Sequence, residues 1–479
     1  MVWGQINTSQ ISRIINQLKE NSIQSLFLIP AFMPINETNV IEFKNGLGEN
    51  KSLVELYMHG HDLGLEGLKE IGKCIEKHPN LKSISIGSTD IGLKCNELEI
   101  LLKGVLRSKT LKSIDFSKQS INSESLRIIK EIVIETGNKS ITHFNFSENN
   151  LDSESLIHLE GIIQANENIE ILNLGGNEID GDVPEGFINT IISSGKHLKK
   201  LVLSGNPIKD ESSLLLSKLL LESNSLKELE LNDCEIGSLG GEILGNSLLK
   251  WKGTLFTATG NPLMGHHLTS KWTNIQQLGQ VSTLKHLSLR GCFIGEEGLK
   301  GIISAIRKGF LPNLNLLDVA YNKLSLESLE SLKELVVIDQ HHSKHSLEYL
   351  DISFNLFGRK AKEIVIDWIS SNKITNLKCL SLNNVDMRFM DMFEICKSLV
   401  DHNTSFKLFE LMGNDQRDEE QIKKEAEQLK LQQEKEQQRI ESGKEEDEDE
   451  DEDEEESVYD ILFDNINELK SKKLEFKWK

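Results

Sequence analysis

From residue 23 to residue 414 one pattern keeps returning, L-x-x-L-x-L-x-x-N-x-L, spelled most clearly at 169–179 as I-E-I-L-N-L-G-G-N-E-I. Ile169, Leu172 and Leu174 send the side chains of one short strand into a core, and Asn177 then turns the chain. Its amide is placed to bond backbone groups of the turns on either side. A unit of this kind cannot bury its apolar face alone, so copies of it must stack. The unit starts again at Leu53, Leu81 and Leu111 and so on to Phe406, at intervals that average about 29 residues and run from 27 to 33. Once an 11-residue strand and turn is set aside, about 18 residues remain, enough for a full helix on the opposite side.

The helices are legible. Leu68, Ile71 and Ile75 share one face of L-E-G-L-K-E-I-G-K-C-I, and S-E-S-L at Ser123 and Ser153 predicts a serine cap oxygen at two helix starts. Residues 9–20 place Ile11, Ile14, Ile15 and Leu18 on one stripe, a helix fit to cover the open end of the core, and a first strand follows at 23–28. The turn position holds Asn or Cys in nine of thirteen repeats, which makes Cys234 and Cys292 structural. The repeat at 253–263 is the most degenerate and lies between Trp251 and Trp272. By period and wording the chain resembles leucine-rich repeats of the ribonuclease-inhibitor-like subfamily. The expected fold is α/β: a curved solenoid with a parallel β-sheet on the concave face, helices on the convex face and a disordered acidic tail. Its divisions are a capping helix at 1–22, the solenoid at 23–414, a charged, coiled-coil-like helix at 415–444, an acidic disordered run at 445–456, and a short amphipathic segment with a basic end at 457–479.

Charge narrows the partners. The chain carries −21, of which −13 lies after Asn414, with twelve consecutive acids from Glu445 to Glu456. Phosphate contacts need clustered Lys and Arg, so nucleic acid is not expected, and a protein partner with a basic surface is. No apolar run reaches the length of a membrane span and no secretory leader opens the sequence, so no membrane insertion and a cytoplasmic location are expected. The six cysteines show no paired spacing and read as reduced thiols.

Motifs for chemistry are missing: there is no G-x-x-x-x-G-K-S/T, H-E-x-x-H or G-x-S-x-G. His341, His342 and His345 cluster without a Cys or carboxylate at ligand spacing, and His266-His267 is weaker still, so no metal, no cofactor and no catalytic residue is expected. The candidate surface is the concave sheet, whose fifth-position row turns acidic toward the C-terminal half. Beside Asp318 and Asp351 stand His286, Arg290, Tyr321, Tyr349 and Phe354, aromatic and charged residues of the kind that dominate interfaces. Tyr57 and His59, with His61, form a second candidate.

Two stretches, N-P-I-K-D-E-S-S-L-L-L-S-K-L-L (206–220) and S-F-N-L-F-G-R-K-A-K-E (353–363), resemble the solenoid of CARMIL-type actin regulators. That resemblance implies a non-catalytic cytoskeletal scaffold. Repeat type and acidic segment together also resemble the Ran GTPase-activating proteins, which would imply an activator of a small GTPase. That family's Arg-containing loop corresponds here to I-G-L-K-C-N-E-L-E (91–99), which has no arginine, and scaffolding ranks first.

Overall fold

The structure, a computed structural model, describes residues 8–263, 267–272, 281–337, 345–371, 373–374, 376–402, 404–414 and 458–478. The expected charged helix at 415–444, the acidic run at 445–456, and His266, His341 and His342 lie outside them. The chain divides into two compact units, Met1–Thr269 with Gln276–Leu287, and Ser270–Ile275 with Ser288–Lys479.

In the first unit the capping helix α1 (Thr8–Lys19) buries Ile11, Ile15 and Leu18 as the stripe requires. Nine short strands follow: β1 (Ser25–Phe27), β2 (Glu55–His59), β3 (Ser83–Gly87), β4 (Ser113–Asp115), β5 (His143–Asn145), β6 (Ile171–Asn173), β7 (Lys200–Val202), β8 (Glu228–Glu230) and β9 (Leu255–Thr257). Each pairs parallel with the next in sequence, with Leu26 beside Leu56 and Leu172 beside Leu201. Helices occupy the returns between strands, among them α2 (Val40–Glu49) and α3 (Gly64–Lys77). Strand β10 (His286–Ser288) falls where the units divide. The second unit repeats the plan with β11 (Leu316–Asp318), β12 (Tyr349–Asp351), β13 (Cys379–Ser381), β14 (Leu408–Glu410) and β15 (Glu475–Lys477), each again parallel to its neighbour.

The pattern's apolar positions form the core. Ile169, Leu172, Leu174 and Ile179 are buried, and each side chain of this kind contributes about 1.5–3 kcal/mol by leaving water. The asparagines join one coil to the next. Asn177 donates through Nδ2 to Phe146 O (3.0 Å) and Leu174 O (2.9 Å) and accepts from Leu151 N (3.1 Å), and Asn206 makes the same three bonds one coil on. Cys234 takes the role through Sγ, 3.3 Å from Leu203 O, and burial pushes its thiol up to about 12. A thiol so protonated is a poor nucleophile. All six cysteines are free, and no helix among the described residues is long and apolar enough to cross a membrane.

Two expectations need correction. At neither helix does the first serine of S-E-S-L supply the cap oxygen. Asn122 Oδ1 accepts Ser125 N (3.0 Å) while Asn122 N donates to Ser125 Oγ (2.7 Å), and Asp152 Oδ1 accepts Ser155 N (2.8 Å). At the first helix the second serine of S-E-S-L closes a capping box with Asn122 as the cap; the second helix begins only at Leu156, Ser155 at its N-cap makes no side-chain cap bond, and the Asp152–Ser155 bonds close the turn before it.

The solenoid boundary at 414 is also too early. Strand β15 lies beside β14, with Leu411 N donating to Lys477 O (2.7 Å) and Glu475 N to Lys407 O (2.8 Å). Helix Val458–Ser471 precedes it, and Ile466, Leu469, Leu474 and Phe476 are buried. Phe476 stacks on Phe409 with ring centres 6.2 Å apart, and Trp478 meets Phe389 edge-on at 5.7 Å. The amphipathic segment after the acids is therefore a further coil of the fold, 43 residues beyond Asn414. Its apolar spacing was visible in the sequence, but its strand, L-E-F-K-W, lacks the repeat's asparagine.

Candidate functional site

The coils leave their strands through tight turns, and the residue just before the turn position takes a left-handed backbone in most of them. Glycine serves at Gly60, Gly176, Gly205, Gly260, Gly291 and Gly413. Lys118, Glu148, Asp233 and Asn384 hold the same place in other coils, and two neighbouring coils of the second unit use aromatics, Tyr321 at φ 58° and Phe354 at φ 56°. A non-glycine residue there is strained by roughly 1–2 kcal/mol, which the fold accepts at several of its turns; what sets these two apart is an aromatic ring at the turn. Both side chains are exposed, Tyr321 by 61% and Phe354 by 39%, with Leu356 at 80% beside them. Burial does not explain their size.

Around them the sheet face is acidic. Alternation along most strands half-exposes the third and fifth positions and buries the residue between, so Tyr349 and Asp351 flank buried Leu350. Asp318 Oδ1 accepts Ala320 N (3.0 Å) and Oδ2 accepts Ser288 Oγ (3.0 Å). Burial pushes the Asp318 carboxyl above its ordinary range, with Asp351 adding to the rise and Arg290 opposing it. Arg290 reaches across two coils: Nη1 lies 3.5 Å from Asp351 Oδ2, and its guanidinium carbon lies 4.9 Å from the centre of the Phe354 ring. Tyr321 meets Phe354 edge-on, ring centres 6.2 Å apart. Farther along, Ser381 Oγ donates to Glu410 Oε2 (2.7 Å), and Lys477 Nζ lies 3.0 Å from Glu410 Oε1. Burial also raises the Tyr349 hydroxyl.

Five expected residues, Arg290, Asp318, Tyr321, Asp351 and Phe354, are thus joined by direct contacts or shared charge, with Tyr349 on the same strand as Asp351. His286 is exposed at the start of β10 and belongs to the first unit, as do Tyr57 and His59. Ser288 stands in the fifth-position row of the sheet, but Leu356 and Lys477 are not singled out by the sequence. Leu356 sits just past a turn asparagine and is open to detection; Lys477 lies outside the repeat pattern.

The first-unit cluster divides by role. Tyr57 stacks on exposed Phe27 with ring centres 4.7 Å apart, and its hydroxyl lies 2.9 Å from Ser83 Oγ. His59 Nδ1 lies 3.4 Å from Gln119 Nε2, and burial lowers its pKa. His61 is structural: fully buried, it accepts Ile35 N at Nδ1 (2.9 Å) and donates from Nε2 to Leu28 O (3.2 Å). Burial is the largest cause that holds it neutral. His345, the described member of the H-H-S-K-H cluster, lies 2.9 Å by Nε2 from Leu335 O and accepts Leu347 N at Nδ1. Among the described residues no group of three or more His, Cys, Asp or Glu is placed to hold a metal ion.

Residues 196–212, 222–245 and 282–302 match the model of the Leucine Rich repeat family. With parallel strands in sequence order, a helix on the returns and a turn asparagine bridging coils, the chain is a leucine-rich repeat protein. It resembles Protein CARMIL of Dictyostelium discoideum, at 23% identity over 427 residues, covering 78% of this chain and 39% of that protein. It also matches the NACHT, LRR and PYD domains-containing protein 14 of Homo sapiens, at 25% identity over 294 residues, 61% of this chain and 24% of that one. The chain spans less than half the length of either relative. Among solved structures, that of the Rad7 and Elc1 complex in yeast aligns with TM-score 0.42 at 15% identity, covering 80% of this chain and 84% of that chain.

Proposed function

We propose that the chain is a non-catalytic scaffold whose second-unit sheet face holds a protein partner through a basic segment, in the cytoplasm and in association with actin. What carries this is the pair Tyr321 and Phe354: two exposed aromatics on strained turns, standing beside Asp318 and Asp351. A lysine or arginine of the partner would find a π face and a carboxylate together, the combination that rewards a cation most. Support comes from the two cations the chain itself places on this face. Arg290 lies over Phe354 and against Asp351, and Lys477 pairs with Glu410. The actin association rests on the resemblance to CARMIL-type proteins.

The test is recovery of bound proteins from a cell lysate by the full chain and by the double variant Y321A/F354A. Actin-associated proteins carrying basic segments, held by the first and lost by the second, are the expected result. Equal recovery by both would sink the assignment of the face. Stimulated GTP hydrolysis on a Ran-like GTPase would replace the scaffold with an activator; Arg127, an early arginine, is held by Glu124 (2.5 Å) and Glu131 (2.6 Å).

A further inference from the structure

In the first unit a cavity of about 440 Å³ opens between the C-terminal parts of α2 and α3, a volume within the range of small-ligand sites. Four lysines line it, Lys44, Lys51, Lys73 and Lys77, against one carboxylate, Glu70. Glu70 is already held by two of them, Lys44 at 3.0 Å and Lys73 at 2.5 Å, which brings its pKa to about 2. Among the described residues Lys51 and Lys77 have no acidic partner. A pocket of formal charge +3 stands out on a chain of −21.

Two features let the lysines stay together. Both helices end here, and the partial negative charge of their last carbonyls steadies nearby ammonium groups. The polar back wall is closed on itself. His78 takes Leu81 N at Nδ1 (3.0 Å), leaving Nε2 to donate to Asn50 Oδ1 (3.3 Å). The ammonium groups are thus not drawn inward, and like charges around a concave wall concentrate counter-anions.

We propose that this cavity binds a small anion carrying two or more phosphates, such as an inositol polyphosphate, either free or as a lipid headgroup. Lysine suits phosphate as a point charge, and a multiply charged ligand answers several lysines at once. The site is independent of the protein-binding face.

Cys74 lies in the cavity wall, half-buried, and serves as a built-in reporter. The full-length protein would be alkylated with a small maleimide with and without inositol hexakisphosphate, and the rate read at each cysteine by peptide mass spectrometry. Cys95 and Cys379, also half-exposed, are internal controls. With the probe at about ten times its dissociation constant, Cys74 should react about tenfold more slowly and the controls at unchanged rates. The double variant K51E/K77E should lose the protection and keep its unfolding midpoint. Unprotected Cys74 in excess probe, or equal protection in the variant, overturns the proposal. Co-sedimentation with vesicles containing phosphatidylinositol bisphosphate, but not with pure phosphatidylcholine, assigns the headgroup; protection without sedimentation assigns the free anion.

Discussion

The Arg290 guanidinium carbon lies 4.9 Å from the centre of the Phe354 ring, so a cation on one coil is matched to an aromatic two coils away. Phe354 holds this place at φ 56°, where glycine would sit without strain. Substituting F354G should therefore weaken partner capture about tenfold or more, as loss of an interface anchor does, while the unfolding midpoint stays level or rises. Titration calorimetry with the recovered partner and denaturant melts separate the two effects. A fall in both together would make Phe354 a packing residue.

Asp318 is held above the ordinary carboxyl range by burial. A carboxyl whose folded pKa is raised favours the fold at pH below the unfolded value, and that contribution is lost as pH climbs through the folded value. At neutral pH the ionised group therefore works against folding. D318N should raise the unfolding midpoint at pH 7 and not at pH 3, and should weaken capture of a basic partner. A stability gain without a binding loss would remove Asp318 from the face.

His61 and His78 are both buried with lowered pKa values, so the fold needs them neutral. Here the sign reverses: between the folded pKa and the unfolded value of about 6.5 the unfolded chain binds more protons, and stability falls as pH drops through that window. Melts between pH 7.5 and 5 should show the decline, flattened in H61Q. H61A should cost about 1–3 kcal/mol even at pH 7.5, because the Ile35 N–H loses its acceptor.

N206A removes one amide that bridges coils through Leu174 O and Leu203 O and receives Ile179 N. Leaving those buried groups unpaired should cost about 2–4 kcal/mol by chemical denaturation. A loss under 1 kcal/mol would mean that water replaces the amide.

F476A should loosen only the coil that carries β15. Large-to-small changes at buried phenylalanine cost about 3–5 kcal/mol, and the readout is hydrogen exchange at Leu411, whose N–H is given to Lys477 O. Faster exchange there, with the amides of β2 to β5 unchanged, is the expected pattern. Uniform acceleration through both units would mean that the coil supports far more than its neighbour.

Period and pattern made the architecture legible because the turn asparagine and the L-x-x-L-x-L spacing are set by local geometry that each coil repeats. Leu172 and Asn177 were assigned from the sequence alone and are found buried and bridging. Where a residue's role depends on a neighbouring coil, one-dimensional spacing was a weaker guide. His61 read as a surface candidate and proved to be a buried clamp, because its partner Leu28 lies 33 positions away. The cap at Asn122 lies one residue before the expected serine because S-E-S-L presents two serines and only the second has its hydroxyl aimed back at the cap, while the other S-E-S-L lies in the turn before its helix. At the candidate face the residue types were visible, whereas the strain at Tyr321 and Phe354 emerges only from φ.

The coil that carries β15 reaches β14 only after the twelve acids have been made. During synthesis, earlier coils can close as soon as the next strand emerges, but the edge at Phe409 must wait for Phe476 and Trp478. Until then the nascent chain carries an apolar edge joined to its most densely charged stretch, so the residues that repel other copies arrive before those that cover Phe409.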